Sequence, residues 1–306
     1  MTHLVVGGGG FIGREVVSRL VEDGRTVVCA DVDWHDSLPE AATRVDCDVT
    51  DSERVAEVVA THGPDRVVHL SSLLTSQTAD SPRYGIEVNS QGTANVMHAA
   101  ATNGVDRLVY ASSIAAYGDP ADYAESVLED AEVPAVFSRY PVTLYAATKQ
   151  FNEYQGRFYD DNYDTRVVGV RPGVVFGPGR SSGLAGWASS FVSAPAHGET
   201  GHIPIPPDEE MSMVFRDDVA EIFVTLCGAS SVTDDAYNTG GHRVTARRLA
   251  DIVESELGEP VTCDESGDPI GLIPGPSHER AREEFGYDLT PLPKSIRDHA
   301  AAARGE

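Results

Sequence analysis

Short apolar runs ending in glycine or serine alternate with stretches whose apolar residues recur at helical spacing, and that alternation constrains the fold of this chain most. HLVVGG (3–8) reads as a strand, and residues 11–24 read as a helix, with Ile12, Val16, Val17, Leu20 and Val21 on one face. The same reading predicts strands over 26–32, 65–72, 106–113 and 165–173, and helices over 51–63, 89–104 and 143–160. Strands alternating with helices specify a parallel sheet with right-handed crossovers and helices on both faces. After Gly173 the texture changes to glycine- and proline-rich segments with shorter helical pieces over 217–228 and 246–258. No repeat, low-complexity tract or polar linker separates the two regions.

The expected fold class is therefore α/β: a Rossmann-type doubly wound parallel sheet over residues 1–173, with a smaller C-terminal substrate-binding lobe over 174–306 interleaved with it. The chain of 306 residues is long enough to bury a substantial core. Its net charge of −25 repels phosphate backbones and anionic headgroups, which argues against nucleic acid and membrane surfaces as partners. Surplus acid of this size is either an ordinary solvated face or an adaptation to high salt, and the second is the expectation carried forward. Lys149 and Lys294 are the only lysines; the other basic residues are arginines. Cys29, Cys47, Cys227 and Cys263 form no CxxC pair and have no neighbouring histidine at ligand spacing, so free thiols and no metal are expected. The N-terminus runs straight into a strand and no apolar run approaches membrane-spanning length, which predicts a cytoplasmic protein.

Gly7, Gly10 and Gly13 fall three apart between the first strand and the first helix, where missing Cβ atoms let backbone approach a pyrophosphate at a helix N-terminus. A flexible strand–helix turn would also carry glycine, but the acid at the end of the next strand separates the two readings. Asp31 follows Gly13 where a carboxylate can accept from ribose hydroxyls, Asp33 lies beside it, and CADVDWHDS contains no arginine for a 2′-phosphate. NAD is favoured over NADP. Tyr145 and Lys149 stand four residues apart, on one face of a helix, where an ammonium lowers the pKa of a phenol and makes it a usable acid or base. That spacing alone also fits an amphipathic helix with an incidental tyrosine; the scarcity of lysine argues for function. Ser112 and Ser113 end a strand on the side where such sheets bind ligands, although serines there also serve as turn caps.

Together these segments resemble the extended short-chain dehydrogenase/reductases, the NAD-dependent epimerase/dehydratase family. The likeness runs through Gly7–Gly13, DVTD at Asp48 to Asp51, the strand end Val68 to Ser72, NxxGTxN at Asn89 to Asn95, SSxxxYG at Ser112 to Gly118, YxxxK at Tyr145 to Lys149 and RPxxVxGP at Arg171 to Pro178. It implies that Tyr145 is the acid–base residue, that Lys149 holds the nicotinamide ribose and tunes Tyr145, and that Ser113 polarises the substrate oxygen. The cofactor contacts it implies are Gly7, Gly10, Phe11, Ile12 and Gly13 at the pyrophosphate, and Asp31, Asp48 and Val49 at the adenosine. Leu70, Ser71, Ser72, Asn89 and Ser112 would line the strand ends, with Tyr145, Lys149, Pro172 and Val174 nearer the nicotinamide. Leu73, Ser113, Tyr145, Gly173 and Arg180 are the implied substrate contacts. A homodimer through 89–104 and 143–160 is also implied, with Val96, Met97, Phe151 and Tyr154 expected on the outward faces.

Departures from the family pattern narrow the chemistry. Ile114, Ala115 and Ala116 follow the serine where dehydratases carry an acid, which argues against water elimination. Met211 stands where nucleotide-sugar enzymes place a phosphate-binding arginine, and CDESGDPIGLIPGP offers no clear second one. Without basic partners a buried diphosphate is costly, so the expected substrate is a small sugar, sugar acid or hydroxy acid, oxidised or epimerised at a secondary alcohol. Two alternatives stay open: a UDP-sugar 4-epimerase, and a non-catalytic NAD-sensing protein, from which the tyrosine–lysine pair is usually missing.

Overall fold

The computed structural model describes residues 1–35, 37–118, 143–180 and 186–306. It divides into two compact units, one of residues 1–116, 142–171 and 220–237, the other of 117–141, 172–219 and 238–306.

The first unit carries a sheet built from β1 (Thr2–Val6), β2 (Thr26–Asp31), β3 (Thr43–Asp46), β4 (Arg66–His69), β5 (Arg107–Ala111) and β6 (Arg166–Arg171). Pairs β1–β2, β2–β3, β1–β4, β4–β5 and β5–β6 are all parallel. The spatial order runs β6-β5-β4-β1-β2-β3, a doubly wound Rossmann-type sheet whose strand order reverses beside β1. Valines fill β1, β2, β4, β5 and β6 on both faces, as a strand covered from two sides requires. Helices α1 (Phe11–Glu22), α2 (Ser52–His62), α3 (Thr75–Asp80), α4 (Pro82–Ile86), α5 (Thr93–Thr102) and α6 (Leu144–Asn162) cross between the strands. The helix expected over 89–104 is interrupted at its start, because residues Glu87–Gly92 form a π turn before α5 begins. Val96 and Met97 were expected on an outward face; both are fully buried in the core that α2, α5 and the sheet share. Leu144, Phe151, Tyr154 and Phe158 of α6 are exposed.

In the second unit β7 (Val174–Phe176) pairs in parallel with β9 (Glu210–Phe215), which pairs antiparallel with a further strand, β11 (His242–Thr245). Between them in sequence lie α7 (Trp187–Ala196) and β8 (Gly201–Ile203), and then α8 (Arg216–Gly228) and β10 (Ala236–Asn238), most of whose residues belong to the first unit, where β10 joins the large sheet beside β6. Then come α9 (Ala246–Leu257), β12 (Val261–Cys263), α10 (Glu279–Phe285) and α11 (Leu292–Arg304). Phe176, Phe191, Phe215, Leu249 and Ile296 centre this unit's core. Among the described residues no helix is long and apolar enough to cross a membrane, no group of side chains has a metal-binding arrangement, and all four cysteines are free thiols.

Candidate functional site

The glycine turn shows which of its glycines the protein itself demands. Gly7 sits at φ 82°, and a Cβ there would come within 2.5 Å of the Ser71 nitrogen. A Cβ on Gly13 would lie 2.1 Å from the Gly7 carbonyl oxygen, so α1 packs against the turn only with glycine there. Gly10 differs: its Cβ would meet only the Gly7 oxygen, at 3.2 Å, so the interior asks little of it. No side chain caps the start of α1, which opens directly after Gly10. A close approach from outside, to an uncapped helix N-terminus, is what a pyrophosphate needs. At the end of β2 the Asp31 Oδ2 accepts from the Gly9 nitrogen at 2.8 Å, and Oδ1 accepts from the Val32 nitrogen at 2.7 Å. The carboxylate is thus fixed beside the turn, and these groups fit the adenosine and pyrophosphate of NAD.

Next along the strand ends, the Asp48 Oδ1 is held by the Thr50 nitrogen at 2.9 Å and the Thr50 hydroxyl at 2.8 Å. Asn95 donates to the carbonyl of buried Val49 at 2.8 Å. Leu70, Ser71, Ser72 and Leu73 follow β4 and are half-buried, as are Phe11 and Ile12 at the start of α1. Asn89, expected at the cofactor, is fully buried, and its amide grips the 72–73 loop. Its Oδ1 accepts from the Leu73 nitrogen at 2.7 Å and its Nδ2 donates to the Leu73 carbonyl at 2.9 Å. These two bonds fix the backbone of Leu73.

Tyr145 and Lys149 lie on the first two turns of α6, whose start is capped by the Thr143 hydroxyl accepting from the Ala146 nitrogen at 3.1 Å. The Lys149 Nζ stands 5.3 Å from the Tyr145 ring centroid and donates to the Ala111 carbonyl at 2.8 Å. That carbonyl is the only hydrogen-bond acceptor the ammonium has among the described residues, which leaves donors of this buried group for a ligand. Burial pushes the Lys149 ammonium down to about 7, against a smaller upward pull from Glu153. Just past Ala111, the Ser113 Oγ accepts from the Ala115 nitrogen at 3.1 Å, which ties it to the short 3₁₀ turn Ile114–Tyr117. Ser112 is buried, and its hydroxyl donates to the Glu153 Oε1 at 2.5 Å.

Glu153, which the sequence reading passed over, organises this corner. Its carboxylate also takes two bonds from Arg171, Nε to Oε1 at 2.8 Å and a terminal nitrogen to Oε2 at 2.7 Å. On the other side His69 is buried with its Nε2 3.1 Å from the Thr93 hydroxyl. Burial, and then the Lys149 charge, holds its imidazole neutral with a pKa of about 3.

Pro172, Gly173, Val174 and Arg180 belong to the second unit. The Gly173 nitrogen donates to the Thr239 hydroxyl at 3.1 Å, and a Cβ on Gly173 would lie 2.8 Å from the Ser212 carbonyl oxygen. Arg180 donates to the Val175 carbonyl at 2.8 Å, Arg216 to the Asp217 carboxylate at 2.9 Å and Arg243 to the Glu210 carboxylate at 2.6 Å. Met211 is fully buried in this unit's core. Of the loops at 73–84, 119–140 and 180–210, whose sequence carries no recognisable code for a substrate, the second and part of the third lie outside the described residues (119–142 and 181–185). A cavity of about 490 Å³ lies elsewhere, lined by Asp106, Asp161, Asp164 and neighbours from the loops that precede β5 and β6, at the amino ends of the strands whose carboxyl ends face Lys149.

The glycine turn, the acid ending β2 and the tyrosine–lysine pair at the carboxyl ends of a doubly wound sheet define an NAD-binding short-chain oxidoreductase. A model of the NAD dependent epimerase/dehydratase family matches residues 3–240, and the chain belongs to that family. It is 30% identical over 301 residues to a UDP-glucose 4-epimerase of Mycolicibacterium smegmatis, covering 94% of this chain and 93% of that one. Among solved structures it is similar to a Thermus thermophilus UDP-glucose 4-epimerase in complex with NAD, with TM-score 0.81 and 25% identity over 100% of this chain and 99% of that one. An L-threonine dehydrogenase from Cupriavidus necator shares the fold with TM-score 0.83 at 23% identity, over 98% of this chain and 99% of that one. The chain is an NAD-dependent enzyme of the extended short-chain type, and its chemistry is hydride transfer at a secondary alcohol.

Proposed function

We propose that the enzyme acts on a free sugar, sugar acid or hydroxy acid, with Tyr145, Lys149 and Ser113 as its catalytic residues. NAD, when bound, accepts or returns the hydride. Tyr145 takes the hydroxyl proton as the carbinol becomes a carbonyl and gives it back in the reverse direction. Lys149, held at the Ala111 carbonyl and over the Tyr145 ring, favours the phenolate and offers its remaining donors to ribose hydroxyls. Ser113 donates to the substrate oxygen and sets its orientation. The family resemblance adds Leu73 of the first unit and Gly173 and Arg180 of the second as substrate contacts, and gives the second unit the role of substrate-binding lobe.

The observation that carries the substrate class is the second unit's arginine chemistry. Arg216 and Arg243 are already paired with carboxylates, and a buried methionine, Met211, fills the position where a diphosphate would meet its arginine. A UDP-sugar 4-epimerase is the second reading, favoured by the names of the relatives. Titrating UDP and GDP against the NAD complex in molar salt separates the two: low-micromolar binding of either nucleotide supports the second reading and sinks the first. Screening free sugars, sugar acids and hydroxy acids with NAD then identifies the substrate, and a rise of NADH absorbance marks net oxidation rather than epimerisation.

The same reading extends to the protein's setting. The exposed apolar residues Tyr84, Ile86, Phe151, Tyr154 and Phe158 of α4 and α6 support a homodimer through this face. Sedimentation as a monomer at micromolar concentration would count against it. The charge of −25 supports work in high salt, and the free thiols support a reducing cytoplasm.

A further inference from the structure

We propose that Glu153 is a positioning residue for the Tyr145–Lys149 pair, fixing the ends of β5 and β6 to α6 and supplying the negative charge that faces the buried Lys149 ammonium. The inference rests on the reading of Tyr145 and Lys149 as the reacting pair. Three observations carry it. Glu153 follows Lys149 by four residues on α6, so it sits one turn on along the same face. Its Oε1 accepts from the Ser112 hydroxyl at 2.5 Å, and Ser112 is the residue directly after the carbonyl that holds Lys149. Its two oxygens take a bidentate pair from Arg171, the last residue of β6, with side chains 6% and 16% exposed for Arg171 and Glu153. One carboxylate therefore sets the spacing between the helix that carries Lys149 and the strand end that receives it.

Charge makes the role more than mechanical. An ammonium 2% exposed stays protonated only with help, and Glu153 is the group that pulls Lys149 upward against burial. The other titratable groups around this corner do not supply that help. His69 of β4 is neutral, Tyr110 of β5 is a phenol raised well above its ordinary range by burial and then by the Glu153 charge, and Arg171 of β6 is itself a cation. Tyr145 of α6 is the partner that Lys149 is there to tune.

The chain's two lysines make the test direct. In protein labelled with ¹³C at lysine Cε and carrying Lys294→Arg, a single signal reports the titration of Lys149, centred near about 7. Glu153→Gln is expected to lower that midpoint by about one pH unit or more and to move the alkaline limb of turnover down with it. Glu153→Asp keeps both near wild type. Should Glu153→Gln fail to fold because Arg171 is stranded, the double variant Glu153→Gln/Arg171→Gln removes the stranded charge, and the same lowering is expected. A folded variant without the Glu153 charge, whose Lys149 midpoint and alkaline limb coincide with wild type, overturns the proposal. The reading beneath it fails differently, through a Tyr145→Phe enzyme that keeps wild-type turnover while the lysine titration still answers for Glu153.

Discussion

Lowering the pH from 8 to 5 should destabilise both units, and three buried histidines set the size of the effect. His3, His69 and His299 are 1%, 3% and 0% exposed, and the Nδ1 of each has no hydrogen-bond partner among the described residues. An imidazolium in such a place would bury a donor with nothing to receive it. Burial, then the Arg25 charge, lowers His3 to about 4. Burial, then Lys149 and Arg216 respectively, lowers His69 and His299 to about 3. These folded values lie below the unfolded 6.5, so the unfolded chain binds protons first. Stability is full above that value and is lost as the pH falls from it toward the folded values. At pH 5 an unfolded histidine is about 1.5 pH units past its midpoint while the folded one is barely charged, so each costs about 2 kcal/mol at ~1.36 per unit. His3 and His69 together cost the first unit about 4 kcal/mol and His299 costs the second about 2 kcal/mol, against a whole stability of about 5–15 kcal/mol for many proteins. Relief of the repulsion behind the charge of −25 acts in the opposite direction, so the measurement belongs in molar salt, where that term is screened. Urea unfolding at the two pH values, followed by the fluorescence of Trp34 in the first unit in a Trp187→Phe background and of Trp187 in the second in a Trp34→Phe background, reads each unit in turn. His299→Gln should remove about 2 kcal/mol of the pH dependence reported by Trp187 and leave that reported by Trp34. Equal wild-type midpoints at pH 5 and 8 would refute the reasoning.

Tyr145→Phe should leave the Kd for NAD near wild type and lower turnover by about 10²–10⁴, the range of a positioned acid–base group; undiminished turnover removes Tyr145 from the mechanism. Gly10→Ala should fold, since its Cβ meets only the Gly7 oxygen at 3.2 Å, yet bind NAD more weakly. Calorimetry showing unchanged affinity would mean that the pyrophosphate does not approach that carbon. Wild-type enzyme should prefer NAD to NADP in kcat/KM because Asp31, fixed by the Gly9 nitrogen, repels a 2′-phosphate, and Asp31→Asn should narrow the gap. Equal use of the two cofactors by wild type argues against that carboxylate's role.

How far such a site can be read from sequence depends on whether its signal is local. Strands β1, β2, β4, β5 and β6 announce themselves because each is a valine-rich run buried on both faces, and the alternation with helices leaves one economical topology. Edge strand β3, TRVD, is mostly exposed and polar, so it carries no apolar period to find. Strand β10 has three residues and rejoins the large sheet only after the chain has passed through the second unit, a pairing that no neighbouring residue encodes. Val96 and Met97 mislead for a related reason. Helix α5 is packed by α2 and α6 as well as the sheet, so apolar residues on several of its faces are core, and a wide apolar surface reads the same whether it waits for a second copy or for a helix of its own chain. Asn89 was located by its motif, but its bonds to the Leu73 backbone have no local signal in the sequence. Glu153 is the instructive case. An acid four residues after a lysine reads as an exposed helix pair, the commonest meaning of that spacing. Arg171 held the missing signal: a guanidinium closing a strand of buried apolar residues needs acceptors, and a carboxylate answers its charge as well as its donors, since an uncompensated buried charge costs several kcal/mol. Asking which acid could answer an arginine at the end of β6 leads to the helix that runs into that strand, and there to the position one turn beyond Lys149.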